Sequence, residues 1–222
     1  LITLAMIIGL FFLGYILLTI IINGIAGLNF SIFSLPTKPP NSNGGLANAI
    51  IGSLSMVSVA ILIASPIGIL AGIYLAEYGR KNKIAEALRF INDLLLSIPS
   101  IIIGLFIYEI YVVKTHHYSG WAGCFALSII ALPIVVRTTE DILVLIPPVL
   151  REAAAALGAP RWKIILSVLM RIASAGIFTG IILALARISG ETAPLLFTAL
   201  NNSFWNSSLN QPMANLPVTI FQ

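Results

Sequence analysis

The sequence predicts an all-α protein, a polytopic bundle of helices that crosses a membrane several times. Of its 222 residues, 59 % are apolar and 9 % are charged, whereas soluble domains carry about 25 % charged residues. Five stretches are long and apolar enough to cross a bilayer, which takes about 20 residues each. Lysine and arginine are concentrated in alternate linkers between these stretches. This composition leaves a soluble fold without enough polar surface.

The five predicted spans are separated by polar or basic linkers. The last apolar stretch is longer than one span requires, so we expect its membrane-crossing part at 172–195. Segment 23–45 and the Asn- and Ser-rich segment after residue 197 have the composition of loops. The predicted spans are 1–22, 46–75, 90–113, 121–146 and 164–197.

The basic residues of the linkers predict the orientation. Linkers 79–89 and 147–171 hold eight of the twelve lysines and arginines, and cytoplasmic loops carry such an excess. The other three loops are therefore expected outside. Five spans would leave the end of the sequence outside, so we expect a sixth span beyond residue 222. Residues 1–222 are then one transmembrane domain, incomplete at both ends.

The basic linker 147–171 predicts a short helical hairpin outside the bilayer. Glu152 and the alanines after it favour a helix, Gly158 ends that helix, and Pro160 suits the first turn of another. Such a compact hairpin suits a partner protein that pushes on it. The sequence has no G-x-x-x-x-G-K-[ST] nucleotide-binding loop. We therefore expect no cofactor in this chain, with any ATP and magnesium bound by a partner ATPase.

Two arginines lie inside predicted spans, each with a carboxylate at helical spacing. Arg137 precedes Glu140 by three residues, and Arg187 precedes Glu191 by four, so each pair shares a helix face. Charges inside a membrane are costly and usually functional, and guanidinium matches phosphate or sulfate oxygens bidentately. We therefore predict a nearly neutral path for an anion. Alternatively, Glu140 and Asp141 reach the cytoplasmic interface and Arg137 follows them.

No metal site or enzyme active site is predicted. His116 and His117 are adjacent and have no third ligand, which is typical of an exposed loop. No Ser-His-Asp, paired-carboxylate or H-E-x-x-H arrangement is present. In a membrane protein the net charge of +4 reports orientation, so we expect no nucleic-acid partner.

Several blocks of the sequence resemble permease subunits of ABC importers. The hairpin matches their Glu-Ala-Ala loop, although Arg171 stands where the general pattern has proline. The stretches around the two arginines, 137–140 and 186–199, resemble the inner-membrane permease subunit of bacterial phosphate-specific ABC importers. Blocks 96–104, 118–123 and 215–221 do so too. The loop residues that carry the match are Glu152, Ala153, Ala154 and Gly158.

The resemblance implies a type I-like permease with six spans in the bacterial inner membrane. Its expected partners are a homologous second permease, two ATPase subunits, a periplasmic phosphate-binding protein and membrane lipid. The function implied is ATP-driven import of inorganic phosphate, with the hairpin as the ATPase-coupling loop. The alternatives are a permease for another oxyanion, such as sulfate or molybdate, and a self-sufficient anion channel or secondary carrier. The Glu-Ala-Ala loop disfavours the last, since such proteins need no ATPase dock.

Overall fold

The structure, a computed structural model, confirms the all-α class. Every regular element among the residues that it describes is a helix, and the chain forms two compact units, 1–47 and 48–222. Three of the twelve basic residues that were counted to predict the orientation lie outside the described residues: Lys38, Arg80 and Lys81. The described residues are 2–25, 27, 29–37, 44–79, 82–206 and 208–221. The helices are α1 Ile2–Ile25, α2 Ser31–Ser34, α3 Ala47–Glu77, α4 Lys83–Ser97, α5 Ser100–Ile107, α6 Val113–Thr115, α7 Gly120–Leu145, α8 Pro148–Ala156, α9 Arg161–Ile164, α10 Met170–Ser189, α11 Ala193–Thr198 and α12 Leu216–Phe221, with π-helical turns at Tyr108–Val112 and Ile165–Leu169.

The first unit consists of α1 followed by the short helix α2. The 24 residues of α1 are about 36 Å long at 1.5 Å per residue, enough for a hydrocarbon core of about 30 Å. After α2, the amide of Leu35 donates to the carbonyl of Ser31 at 2.9 Å, and that of Gly45 to Pro36 at 2.9 Å. The first predicted span is therefore a single helix.

In the part of the chain that the structure describes, the candidate membrane spans number four or five, where the sequence predicted five. Among the described residues, four helices are long and apolar enough to cross a membrane: α1, α3, α7 and the continuous helix Arg161–Ser189. A fifth span is added if α4 and α5, which meet at a bend of 103°, are one crossing.

The central helix of the second unit is α7, which buries residues along its whole length. Helices α3 and α10 approach it closely through two G-x-x-x-G motifs, Gly68–Gly72 and Gly176–Gly180. A Cβ on Gly72 would lie 2.6 Å from the Cβ of Thr139, and one on Gly180 would lie 2.7 Å from the Cβ of Thr138. Small residues at this spacing let membrane helices pack with their backbones in contact.

The third predicted span, 90–113, is wrong as a single straight helix. Helix α4 begins at Lys83, because the side chain of Asn82 accepts from the amide of Ile84 at 3.0 Å and caps the helix. It ends before Ile98, which is extended (ψ 130°), because the proline that follows disfavours a helical conformation there. Arg89 is consequently a helix residue and not a linker residue.

The fifth predicted span, 172–195, has the wrong end. Helix α10 stops at Ser189, and Gly190 and Glu191 lead into a separate helix with Pro194 in its first turn. Glycine favours a helix end and proline suits the first turn of the next helix. Helix α11 packs against α5 and α7.

The second unit has two ends, which we call the hairpin end and the loop end. At the loop end, residues 199–206 and 208–215 run back over the starts of α3 and α7. The amide of Gly120 donates to the carbonyl of Gln211 at 3.0 Å, and the amide of Leu216 donates to the hydroxyl of Ser53 at 2.7 Å. At the hairpin end lie the C-terminus of α3 and helices α8 and α9.

Candidate functional site

Helices α8 and α9 form a tight hairpin that turns at Gly158. This residue has a φ of +78°, the left-handed conformation that glycine adopts without a steric penalty. Its amide donates to the carbonyl of Ala155 at 2.9 Å, and the amide of Ala159 donates to Ala154 at 3.3 Å. Pro160 precedes α9 as its cap residue. Beyond the neighbouring residues, no atom lies within 4 Å of the position that a Cβ of Gly158 would take, so glycine is favoured here by the backbone conformation and not by a lack of space.

The hairpin buries one face and exposes the other. Ala154 and Ala159 pack against an apolar cluster that contains Leu143 and Leu169. Glu152, Ala153 and Gly158 are exposed. The residues of the Glu-Ala-Ala pattern therefore present a surface that a partner protein can contact.

Arg151 fastens the hairpin to the ends of two long helices. Its Nη2 and Nε donate to Oε1 of Glu77, the last residue of α3, at 2.7 and 3.1 Å. Nη1 donates to the carbonyl of Ile146 at 2.6 Å, and Nη2 also donates to that of Leu143 at 2.7 Å. The side chains of Arg151 and Glu77 are 18 % and 14 % exposed. One guanidinium thus neutralises a carboxylate and caps the C-terminus of α7.

A cavity of about 370 Å³ lies between the hairpin and the end of α3. Arg151 and Glu77 form part of its wall, with Ile164 and Ile165 among the apolar residues. On this side the hydrogen bonds of Arg151 therefore add to the apolar cluster that contains Ala76, Ile164 and Ile165.

Glu140 pairs with Arg89 of α4, so the predicted partnership of Glu140 with Arg137 is wrong. Nε of Arg89 donates to Oε1 of Glu140 at 2.7 Å, and its Nη2 donates to the carbonyl of Leu75 at 3.0 Å. Glu140 is buried, on the face of α7 that packs against α3 and α4. Arg137, three residues earlier, lies at a different angle around the helix and is exposed.

Arg137 contacts two aspartates on the exposed surface of the bundle. Its Nε lies 3.3 Å from Oδ2 of Asp141, one turn on, and its Nη1 lies 3.7 Å from Oδ1 of Asp93 in α4. The three side chains are 50 %, 59 % and 60 % exposed. Two carboxylates around one guanidinium make this group net negative, whereas the sequence predicted a nearly neutral pair.

Arg187 pairs with Glu191, as the i+4 spacing predicted. Arg187 lies in the last turn of α10, whereas the sequence placed it well inside a span. It lies beside the middle of the neighbouring helix α7. It lines a small void together with Ile130 and Ile134 of α7 and with Ile98 and Ser100 at the break between α4 and α5. Glu191 is buried, whereas the side chain of Arg187 is 55 % exposed.

The two arginines therefore lie beside the same broken segment. Arg137 contacts α4 through Asp93, and Arg187 lines a void at the α4–α5 break. Ile134 is three residues before Arg137, about 4.5 Å along α7. Irregular backbone at the depth of a membrane is tolerated where it lines a cavity or is buried in protein. The arrangement offers an oxyanion two guanidinium groups whose present partners are carboxylates.

Sequence reasoning missed three residues of this arrangement: Arg89, Asp93 and Arg151. Their partners are 51, 44 and 74 positions away, so no helical spacing could reveal them. His116, with a φ of +58°, ends a helix in an exposed turn, and the described residues contain no group of three or more His, Cys, Asp or Glu side chains that could hold a metal ion.

The fold and the site together define a multi-pass membrane permease: apolar spans, a polar hairpin outside them and charged side chains between them. The family model of "Binding-protein-dependent transport system inner membrane component" matches residues 68–221. The chain belongs to this family, and it is a multi-pass protein of the inner membrane.

Similar proteins include named phosphate permeases and an ABC transporter of known structure. "Phosphate transport system permease protein PstA" of Haemophilus influenzae is 57 % identical over 218 residues, which are 98 % of this chain and 77 % of that protein. The protein of the same name from Pasteurella multocida is 58 % identical over 99 % of this chain and 78 % of its own length. A chain of the MetNI methionine ABC transporter in an inward-facing conformation superposes with a TM-score of 0.59. It is 26 % identical, covering 65 % of this chain and 70 % of that chain.

Proposed function

We propose that this chain is the transmembrane permease subunit of an ATP-driven importer that passes inorganic phosphate into the cytoplasm. The observation that carries the proposal is the 57–58 % identity to phosphate transport permeases over nearly the whole chain. The exposed Glu-Ala-Ala hairpin supports it, because a self-sufficient channel or carrier needs no such dock.

Arg137 and Arg187 line the substrate path in this proposal, together with Glu191. Each guanidinium exchanges its carboxylate partner for phosphate oxygens as the ion passes. The exposure of Arg137 supports this role, because a passing ion must reach it. Glu140 was predicted to belong to the path, but its buried pair with Arg89 favours a structural role. Asp93 and Asp141 weaken the attraction of Arg137 for an anion, and weak binding lets an ion leave.

The hairpin end faces the cytoplasm in this proposal, and the hairpin docks on an ATPase subunit. The lysines and arginines of segment 147–171 support this orientation. The other proposed partners are a homologous second permease, a second copy of the ATPase and a periplasmic phosphate-binding protein. In this proposal the ATPase binds ATP and magnesium and hydrolyses the ATP, and this chain holds no cofactor.

Uptake of labelled phosphate tests the proposal. A strain that lacks this permease and other high-affinity phosphate uptake is complemented with the natural chain, and uptake of phosphate, sulfate and molybdate is measured in parallel. We expect phosphate uptake alone to be restored. Restoration of sulfate or molybdate uptake instead would assign another oxyanion, and uptake that persists without the ATPase would assign a carrier or channel.

A further inference from the structure

Arg151 is the one side chain, among the described residues, that joins the hairpin by hydrogen bonds to the ends of both α3 and α7. We propose that it is a positioning residue for energy coupling, through which movement of the hairpin is transmitted to these two helices. The inference rests on the proposed function, because it requires an ATPase that moves the hairpin.

The attachment is directional and largely buried, with 18 % and 14 % of the Arg151 and Glu77 side chains exposed. Three guanidinium nitrogens are in use: Nε and Nη2 bind Glu77, while Nη1 and Nη2 bind the last carbonyls of α7. Hydrogen bonds between charged groups are the strong ones, and the planar fork of arginine fixes their geometry. A cavity of about 370 Å³ lies beside this attachment. The other connection on that side is the apolar cluster that contains Ala76, Leu143 and Ile164, which lacks the directional geometry of hydrogen bonds.

A second arginine continues the connection toward the proposed substrate path. Arg89 of α4 donates to the carbonyl of Leu75 in the last turns of α3 and to Glu140 of α7. Helices α3, α4 and α7 are thereby joined just above the hairpin. Arg137 and Asp93 lie on α7 and α4, so a displacement of the hairpin moves the helices that carry them.

Glu77 and Arg151, which are separated by 74 residues, differ in how many of the bonds between the hairpin and the helix ends they make. Glu77 provides one carboxylate acceptor, whereas Arg151 also caps α7. Lysine at 151 could keep the ion pair but, as a point charge, could not hold Glu77 and both carbonyls in one fixed geometry. A positioning role therefore predicts that the phosphate imported per ATP hydrolysed is lower with Arg151→Lys than with the natural arginine, but higher than with Arg151→Gln.

The experiment compares transport with ATP hydrolysis in the whole importer. The permease chains, the ATPase and the binding protein are purified and reconstituted in liposomes, and the phosphate imported per ATP hydrolysed is measured. The variants are Arg151→Gln, Arg151→Lys, Glu77→Gln and the double variant Arg151→Gln with Glu77→Gln. Lys114→Gln is the matched control, because Lys114 is an exposed basic residue of α6, outside the hairpin segment, with no ion pair among the described residues.

We expect Arg151→Gln to lower phosphate imported per ATP by about tenfold or more, as the loss of charged hydrogen bonds implies, while the complex still assembles and hydrolyses ATP. Arg151→Lys and Glu77→Gln should lower the ratio by a smaller factor, and the double variant should be no worse than Arg151→Gln. Lys114→Gln should keep the natural ratio.

An assembled Arg151→Gln complex with the natural ratio would overturn the inference. If that variant does not assemble, natural ratios in both Arg151→Lys and Glu77→Gln would overturn it, whereas lowered ratios would support it. Failure of the proposed function is seen separately, because the natural complex would then import no phosphate before any variant is compared.

Discussion

The Arg151–Glu77 pair and the Arg137 group use the same chemical groups in opposite environments. The first pair is 18 % and 14 % exposed, with guanidinium-to-carboxylate distances from 2.7 Å. In the second, Arg137 reaches two aspartates at 3.3 and 3.7 Å, and all three side chains are at least half exposed. Buried charges bind their partners firmly, because an unpaired charge there is very costly. Exposed pairs contribute about 0–1 kcal/mol and exchange partners readily.

This difference separates arginines that hold the structure from arginines that can serve a passing ion. Arg89 and Arg151 join helices. Releasing Arg89 would leave the buried Glu140 alone, and releasing Arg151 would leave Glu77, 14 % exposed, alone. Arg137 can release an aspartate at little cost. Arg187 lies between the two cases, because its own side chain is exposed while that of Glu191 is buried.

The largest loss of stability is expected from breaking the Arg89–Glu140 pair. Glu140→Ala leaves Arg89 without its buried carboxylate, so we expect the free energy of unfolding to fall by about 3 kcal/mol. Chemical unfolding of the purified complex in detergent measures this change. Asp141→Ala, one residue away in an exposed pair, is the control and should change it by less than about 1 kcal/mol. Equal losses in the two variants would contradict the distinction between buried and exposed pairs.

The pair of Arg187 with Glu191, in which one side chain is exposed and the other is buried, should affect both stability and phosphate uptake. Arg187→Ala leaves the buried Glu191 unpaired, so we expect a loss of about 2 kcal/mol in stability and phosphate uptake at least about tenfold lower, because a guanidinium is lost from the path. Adding Glu191→Gln removes the unpaired charge and should restore stability without restoring uptake. If uptake returned together with stability, Arg187 would be structural.

The hairpin turn should be sensitive without any ion pair. Valine at 158 would have to adopt a positive φ, at a cost of about 1–2 kcal/mol, so we expect Gly158→Val to reduce uptake roughly tenfold while the subunit still inserts in the membrane. Asparagine tolerates this conformation, and the space around the residue is open, so Gly158→Asn should retain most uptake. Similar uptake in the two variants would show that the left-handed turn is not required.

The smallest effect on stability is expected at Arg137. Its exposed pairs predict a change of less than about 1 kcal/mol for Arg137→Lys, whereas uptake should fall roughly threefold because a point charge cannot bind phosphate bidentately. Arg137→Ala should lower uptake further with the complex intact. Normal uptake by an assembled Arg137→Ala complex, measured over a range of phosphate concentrations, would remove Arg137 from the path.

Features of the structure that depend on residues close together in the sequence could be predicted from the sequence. A run of apolar residues is enough to predict a span, and α3 and α7 lie close to their predicted bounds. The hairpin followed from the helix-forming residues around Glu152, from Gly158 and from Pro160, each of which acts on its own backbone. The pair of Arg187 with Glu191 followed from helical spacing. The breaks at Pro99 and Gly190 were present in the sequence too, but apolar runs on both sides concealed them.

By itself, the sequence determined the all-α class, the number of spans, the hairpin and the presence of arginines among apolar segments. Tertiary structure decided which carboxylate each arginine meets: Glu140 with Arg89, Asp93 with Arg137, and Glu77 with Arg151. The physical reason is the distance along the chain over which each interaction acts. Hydrophobicity and backbone preference act within a few residues, whereas an ion pair depends on which faces of packed helices meet, and that is set by close contacts such as those of Gly72 and Gly180 with α7.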